Sequence, residues 1–146
     1  MSASVIERKR RSAVRQTGIY VCIAMCCGLF SAIYEHFSHG VDSNAMICLF
    51  AYPLVLGALP YAAIALSKRL PLPEKRAAGV WDCGVTTLAV GSCLRGVLEI
   101  YGTTSSYTAL YAPVGIALLA VGAILYFREA KARRTQPPAE SRSVSV

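Results

Sequence analysis

Glu35, Arg95 and Glu99 interrupt largely apolar sequence. Glu99 follows Arg95 by one helical turn, so a helix puts both on one face. An arginine with one or two carboxylates in apolar surroundings can hold a polar ligand. It can equally pair off internally and lock two helices together. Charges inside a membrane mark binding or transport sites by default, which makes Glu35, Arg95 and Glu99 the ligand-binding candidates. A second cluster reads Glu35-His-Phe-Ser-His39-Gly-Val-Asp42. A continuous helix would carry Glu35, His39 and Asp42 on one face, with His36 one turn before His39. Imidazole and carboxylate suit a divalent metal such as zinc, and histidines can sense pH. Gly40 is expected to stop the helix there. The plainer reading is therefore a polar helix end whose histidines suit the dipole, and the metal site is the weaker candidate.

Other chemistry is missing from the sequence. The cysteines are Cys22, Cys26, Cys27, Cys48, Cys83 and Cys93, with no C-x-x-C among them. Cys22, Cys26, Cys83 and Cys93 sit within the apolar stretches and read as small packing residues. Both histidines share one segment, which disfavours a bis-histidine haem. No nucleophile–base pair, zincin motif or glycine-rich phosphate loop is present. The expectation is a protein that is not an enzyme and carries no cofactor.

The elements that must position these residues follow from the charge distribution. Of 146 residues, 55% are hydrophobic and 16% charged, against about 25% charged in ordinary soluble domains. Mean hydropathy is +0.48. This composition excludes a disordered chain and argues against a soluble globule. Four stretches reach the roughly 20 apolar residues that a membrane helix needs: about 17–37, 45–66, 80–101 and 107–127. The second and fourth carry no charge and no polar face, unlike an amphipathic soluble helix. Alternating barrel strands are absent too. The expected fold is all-α, an integral membrane four-helix bundle over 17–127. A basic tail precedes it (1–16), and a basic, Pro/Ser-rich tail expected to be disordered follows (128–146). The first stretch is read as a retained helix rather than a signal peptide, because its apolar run is long and Ser31-Ala-Ile-Tyr34 offers no A-x-A-like cleavage site.

Orientation comes from the cations. The N-terminal tail, the connection between the second and third stretches and the C-terminal tail hold 14 of the 15 Lys and Arg residues. By the positive-inside rule both termini face the cytoplasm, and the plasma membrane is the expected location. The basic tails fit topology and anionic lipid, not nucleic acid. Trp81 and Tyr101 sit where interfacial anchors would end the third stretch, and Tyr107 and Tyr126 bracket the fourth. On this topology Glu35, Arg95 and Glu99 lie near the outer face.

The two halves resemble each other. Tyr34-Glu35-His36-Phe37 can be laid on Leu98-Glu99-Ile100-Tyr101, and Phe50-Ala-Tyr-Pro53 on Tyr111-Ala-Pro113. A duplication would give two tandem hairpins related by a pseudo-two-fold along the membrane normal. Gly84 and Gly91 in the third stretch, and Gly115 and Gly122 in the fourth, keep the same spacing, which lets helices approach closely. Pro53, Pro60 and Pro113 are expected to kink their helices.

The string Tyr34-Glu-His-Phe-Ser-His-Gly-Val-Asp-Ser43, with Phe50-Ala-Tyr-Pro-Leu54 and Gly57, resembles a family of small bacterial four-helix multi-pass membrane proteins. The resemblance covers the first hairpin and implies no activity. The small multidrug transporters also have four helices and a glutamate on the first, but theirs is buried at mid-membrane, whereas Glu35 lies near the end of its stretch. Their mechanism does not carry over. The functional expectation is a binding or transport component with an outward-facing polar pocket between the hairpins. Because four short helices enclose little volume, a membrane partner or a second copy of the chain is expected to complete it. The alternative is an accessory protein that acts through helix packing and has no small-molecule site.

Overall fold

The computed structural model describes residues 3–37, 44–67, 70–103 and 105–135. Their regular structure is entirely helical: α1 (Ala3–Phe37), α2 (Asn44–Tyr52), a π-helical turn (Pro53–Ala58), α3 (Leu59–Leu66), α4 (Lys75–Ile100), a 3-10 turn (Ser106–Leu110) and α5 (Tyr111–Thr135). Four stretches are long and apolar enough to cross a membrane: Arg10–Phe37, Cys48–Leu66, Lys75–Ile100 and Ser106–Ala132.

The helix ends differ from the sequence expectation at the basic termini. α1 is 35 residues long, or about 52 Å, so the segment read as a tail continues the first helix. Glu7 and Arg11 pair on its exposed side at 2.8 Å. α4 begins at Lys75 and not near Val80. Pro71 and Pro73 end within the loop, and nothing after them opposes a helix. α5 runs on to Thr135, while 136–146, His39 and Asp42 lie outside the described residues.

The second span is broken by its prolines. Pro60 has no N–H, so the Leu56 carbonyl loses its α-helical donor. The π turn shifts the register, and the Leu59 N–H donates to the Leu54 carbonyl five residues back. The Leu56 carbonyl accepts from Trp81 Nε1 of α4 at 2.8 Å. Trp81 thus satisfies a backbone group inside the helix assembly, a different task from the interfacial anchoring expected of it.

The helices stand in series. α1 packs on α2, the π turn and α3; α4 packs on α2, the π turn and α5. Among the described residues, the backbone of α1 does not approach α4 or α5, and that of α3 approaches neither α4 nor α5. Beyond the π turn, then, α3 diverges from the second hairpin. The α4–α5 pair is the tightest because its glycine stripes face large side chains. A Cβ built on Gly84 would come within 2.9 Å of Leu119 Cγ, and one on Gly115 within 2.6 Å of Leu88. At the far end, Gly102 takes φ +68°, and the Gly102 and Thr103 amides donate to the Glu99 and Leu98 carbonyls. This left-handed glycine stop ends α4 just after its ion pair.

The loop joining α3 to α4 is fastened to α5. Tyr126 Oη donates to the Pro71 carbonyl at 3.1 Å. The Glu74 amide donates to Glu129 Oε2 at 3.1 Å.

Candidate functional site

The structure draws three helices together around a carboxylate absent from the candidates above. Asp82 lies two turns into α4, about 10 Å along the axis from Lys75. Its Oδ1 accepts from Tyr20 Oη of α1 at 2.5 Å and from Tyr61 Oη of α3 at 3.3 Å. Tyr20 and Tyr61 are 6% and 5% exposed, and with Ala58 and Val85 they form the buried core. Such low exposure decides their role: neither hydroxyl has water to turn to if the carboxylate is lost.

Local sequence explains the approach. The tyrosine rings stack, with centroids 5.8 Å apart and planes inclined by 19°. Gly57, within the π turn, lets that backbone lie against the Tyr20 ring; a Cβ there would overlap the ring. Trp81, one residue before Asp82, holds the same turn through the Leu56 carbonyl. The break at Pro53–Ala58 is therefore where all three spans meet. No Lys or Arg forms a salt bridge with Asp82 among the described residues.

The sequence-predicted residues are placed differently. Arg95 Nε and Glu99 Oε1 pair at 2.9 Å along α4, with side chains 67% and 34% exposed. The pair joins one helix to itself and does not link α4 to α1. A cavity of about 230 Å³ lies beside it, bounded by Arg95, Leu98 and Glu99 and by Thr103, Ser105 and Thr108 of the following connection. Among the described residues, the lining belongs to the second hairpin alone, and Glu35 is not part of it. Glu35 is half-buried near the end of α1 and is engaged with a partner; His36 is exposed. The two remaining metal candidates fall outside the described residues. Among those described, no group of three or more His, Cys, Asp or Glu converges on a metal-sized point.

An exposed pair of this kind contributes little to stability. Arg95→Ala is expected to cost less than about 0.5 kcal/mol in a detergent unfolding titration. A loss above about 2 kcal/mol would restore the structural lock.

The chain matches no family model, no curated protein and no solved structure. The site is therefore argued from its geometry alone.

Asp82 becomes conspicuous only once the start of α4 is fixed at Lys75. It is an acidic residue seven positions inside a span whose only other charges, beyond its first turn, are Arg95 and Glu99. Tyr20 and Tyr61 carry no signal in the sequence, since a lone tyrosine in an apolar run looks the same whether it packs or donates.

Proposed function

We propose that the protein is a membrane-embedded binding or transport component for a positively charged ligand, with Asp82 as the counter-charge and Tyr20 and Tyr61 as the groups that fix its orientation. One observation carries this: a carboxylate within an apolar span is held by hydroxyls from two other spans and has no basic partner among the described residues. Aspartate in a membrane helix costs about 2.5–3.5 kcal/mol at its centre. A carboxylate kept there needs neutralising by a proton or a cation. Arg95 and Glu99 neutralise each other, so the outward polar pocket is the weaker location for this chemistry. In this reading the basic ends face the cytoplasm, and Asp82 lies in the inner half of the bilayer.

Tetraphenylphosphonium serves as a probe because its charge is delocalised enough to enter lipid. Equilibrium dialysis with the protein in vesicles is expected to show saturable binding that falls at least about tenfold in Asp82→Asn, the loss that about 1.4 kcal/mol represents. Arg95→Ala should retain it. Equal binding by wild type and Asp82→Asn would remove the cation site, leaving the accessory reading.

A further inference from the structure

A second cavity, of about 330 Å³, opens where α3 diverges from α4 and α5. Its walls include Tyr61 and Ile64 of α3, Trp81 of α4, and Ala123, Tyr126 and Phe127 of α5. Phe127 is 69% exposed, so the cavity is open to its surroundings. Among the described residues that line it, none is charged. Three of its rings carry a polar N–H or O–H, and all three send it elsewhere. Tyr61 Oη donates to Asp82 Oδ1, Trp81 Nε1 to the Leu56 carbonyl, and Tyr126 Oη to the Pro71 carbonyl. The aromatic walls thus offer the cavity carbon rather than a donor. A metal ion or a primary ammonium arriving here would shed its water and gain no hydrogen bond in return.

Aromatic rings still attract one kind of charge. Their faces are negative, and indole and phenol hold a cation whose charge is spread over apolar groups. A ring that gives its proton to an acceptor gains electron density, so each of the three outward bonds strengthens that attraction. Tyr61 adds a full negative charge behind the wall. Its ring stacks on Tyr20, its hydroxyl reaches the Asp82 carboxylate at 3.3 Å, and the same side chain borders the cavity. One tyrosine therefore separates the cavity from Asp82, and across so short and apolar a distance the carboxylate is weakly screened. No Lys or Arg forms a salt bridge with it among the described residues.

We propose that this cavity holds the body of the ligand that Asp82 attracts, and that the ligand is accordingly a lipophilic onium ion, its charge carried among aromatic or alkyl groups. The charged centre lies towards Tyr61, the lining residue bonded to the carboxylate, and the apolar groups fill the space between α3, α4 and α5. The assignment deepens the cation reading of Asp82 and rests on it.

Trp81 is the only tryptophan, and it lines the cavity, so its fluorescence reports occupancy. N-benzylpyridinium quenches indole on contact. With the full chain in phosphatidylcholine vesicles it is expected to quench Trp81 with saturation. Tetraphenylphosphonium should restore the emission at a concentration at least about tenfold lower than triphenylphosphine oxide, a neutral molecule of similar bulk. Asp82→Asn should bring the two competitors together, and Ala123→Phe, which fills the cavity from the α5 wall, should abolish the saturable quenching. Equal displacement by the phosphonium and the oxide in the wild type overturns the proposal without any variant, since the cavity then selects bulk and not charge. Phosphonium binding that depends on Asp82 in dialysis yet leaves Trp81 quenching unchanged overturns the proposal alone and leaves the Asp82 cation site standing. A phosphonium advantage that survives Asp82→Asn overturns both.

Discussion

Replacing Asp82 by alanine is expected to destabilise the folded helices by about 2–5 kcal/mol, while asparagine costs about 1 kcal/mol or less. Alanine leaves the Tyr20 and Tyr61 hydroxyls without their shared acceptor at positions almost closed to solvent. Each orphaned buried hydroxyl costs about 1–3 kcal/mol. Asparagine keeps an oxygen where Oδ1 stood and removes only the charge. Reversible unfolding in mixed detergent micelles measures both. Equal losses for the two variants would mean that the hydroxyls do not depend on this acceptor.

The same alanine should have the opposite sign in a different measurement. Inserting an aspartate at a helix centre costs about 2.5–3.5 kcal/mol, so the third span of Asp82→Ala should insert more readily than the wild type. Better insertion with poorer folding separates the price of placing the carboxylate from the stabilisation its partners recover. Removing all three polar groups closes the test. Asp82→Leu with Tyr20→Phe and Tyr61→Phe is expected to fold within about 1 kcal/mol of wild type, because matched apolar replacement leaves no orphan. That triple variant should still fail to bind the cationic probe, so stability and binding come apart.

What the sequence made legible was what lipid demands of any chain. Length and apolarity alone marked four helices, because a bilayer accepts nothing shorter and nothing charged without compensation. The facing glycines of the second hairpin were also readable, since small residues at one spacing can serve only close approach. The Asp82 centre was hidden by a boundary. Taking Trp81 as an interfacial anchor starts the third helix near Val80 and leaves Asp82 at its edge, where an aspartate is unremarkable. The helix starts at Lys75, which moves Asp82 two turns inside. Pro60 already implied an unsatisfied Leu56 carbonyl, but its donor, Trp81, is 25 residues away. Tyr20 is 62 residues from Asp82. No local pattern links such partners, and the order in which helices stand side by side is set by packing that periodicity does not encode.

Gly57→Ala is expected to be as damaging as any single loss of a polar group, although it adds one methyl. The new Cβ would fall on the Tyr20 ring, near Cδ1, Cε1 and Cγ together. A flexible side-chain tip could move aside, but this ring is held by its stack on Tyr61 and by its bond to Asp82. Relief therefore requires either that α1 move away from the π turn or that the hydroxyl release the carboxylate. Overpacking of this kind costs about 1–3 kcal/mol, and breaking the Tyr20–Asp82 bond adds to it. Gly79→Ala is the control, because nothing lies within 4 Å of its Cβ position, and a helical alanine there should be neutral or stabilising by up to about 1 kcal/mol. The two effects are coupled through one ring, so Gly57→Ala with Tyr20→Leu should lose less than the sum of the single variants by at least about 1 kcal/mol. Additive losses would show that Gly57 does not bear on Tyr20, and the account of why three spans converge at the π turn would fail with it.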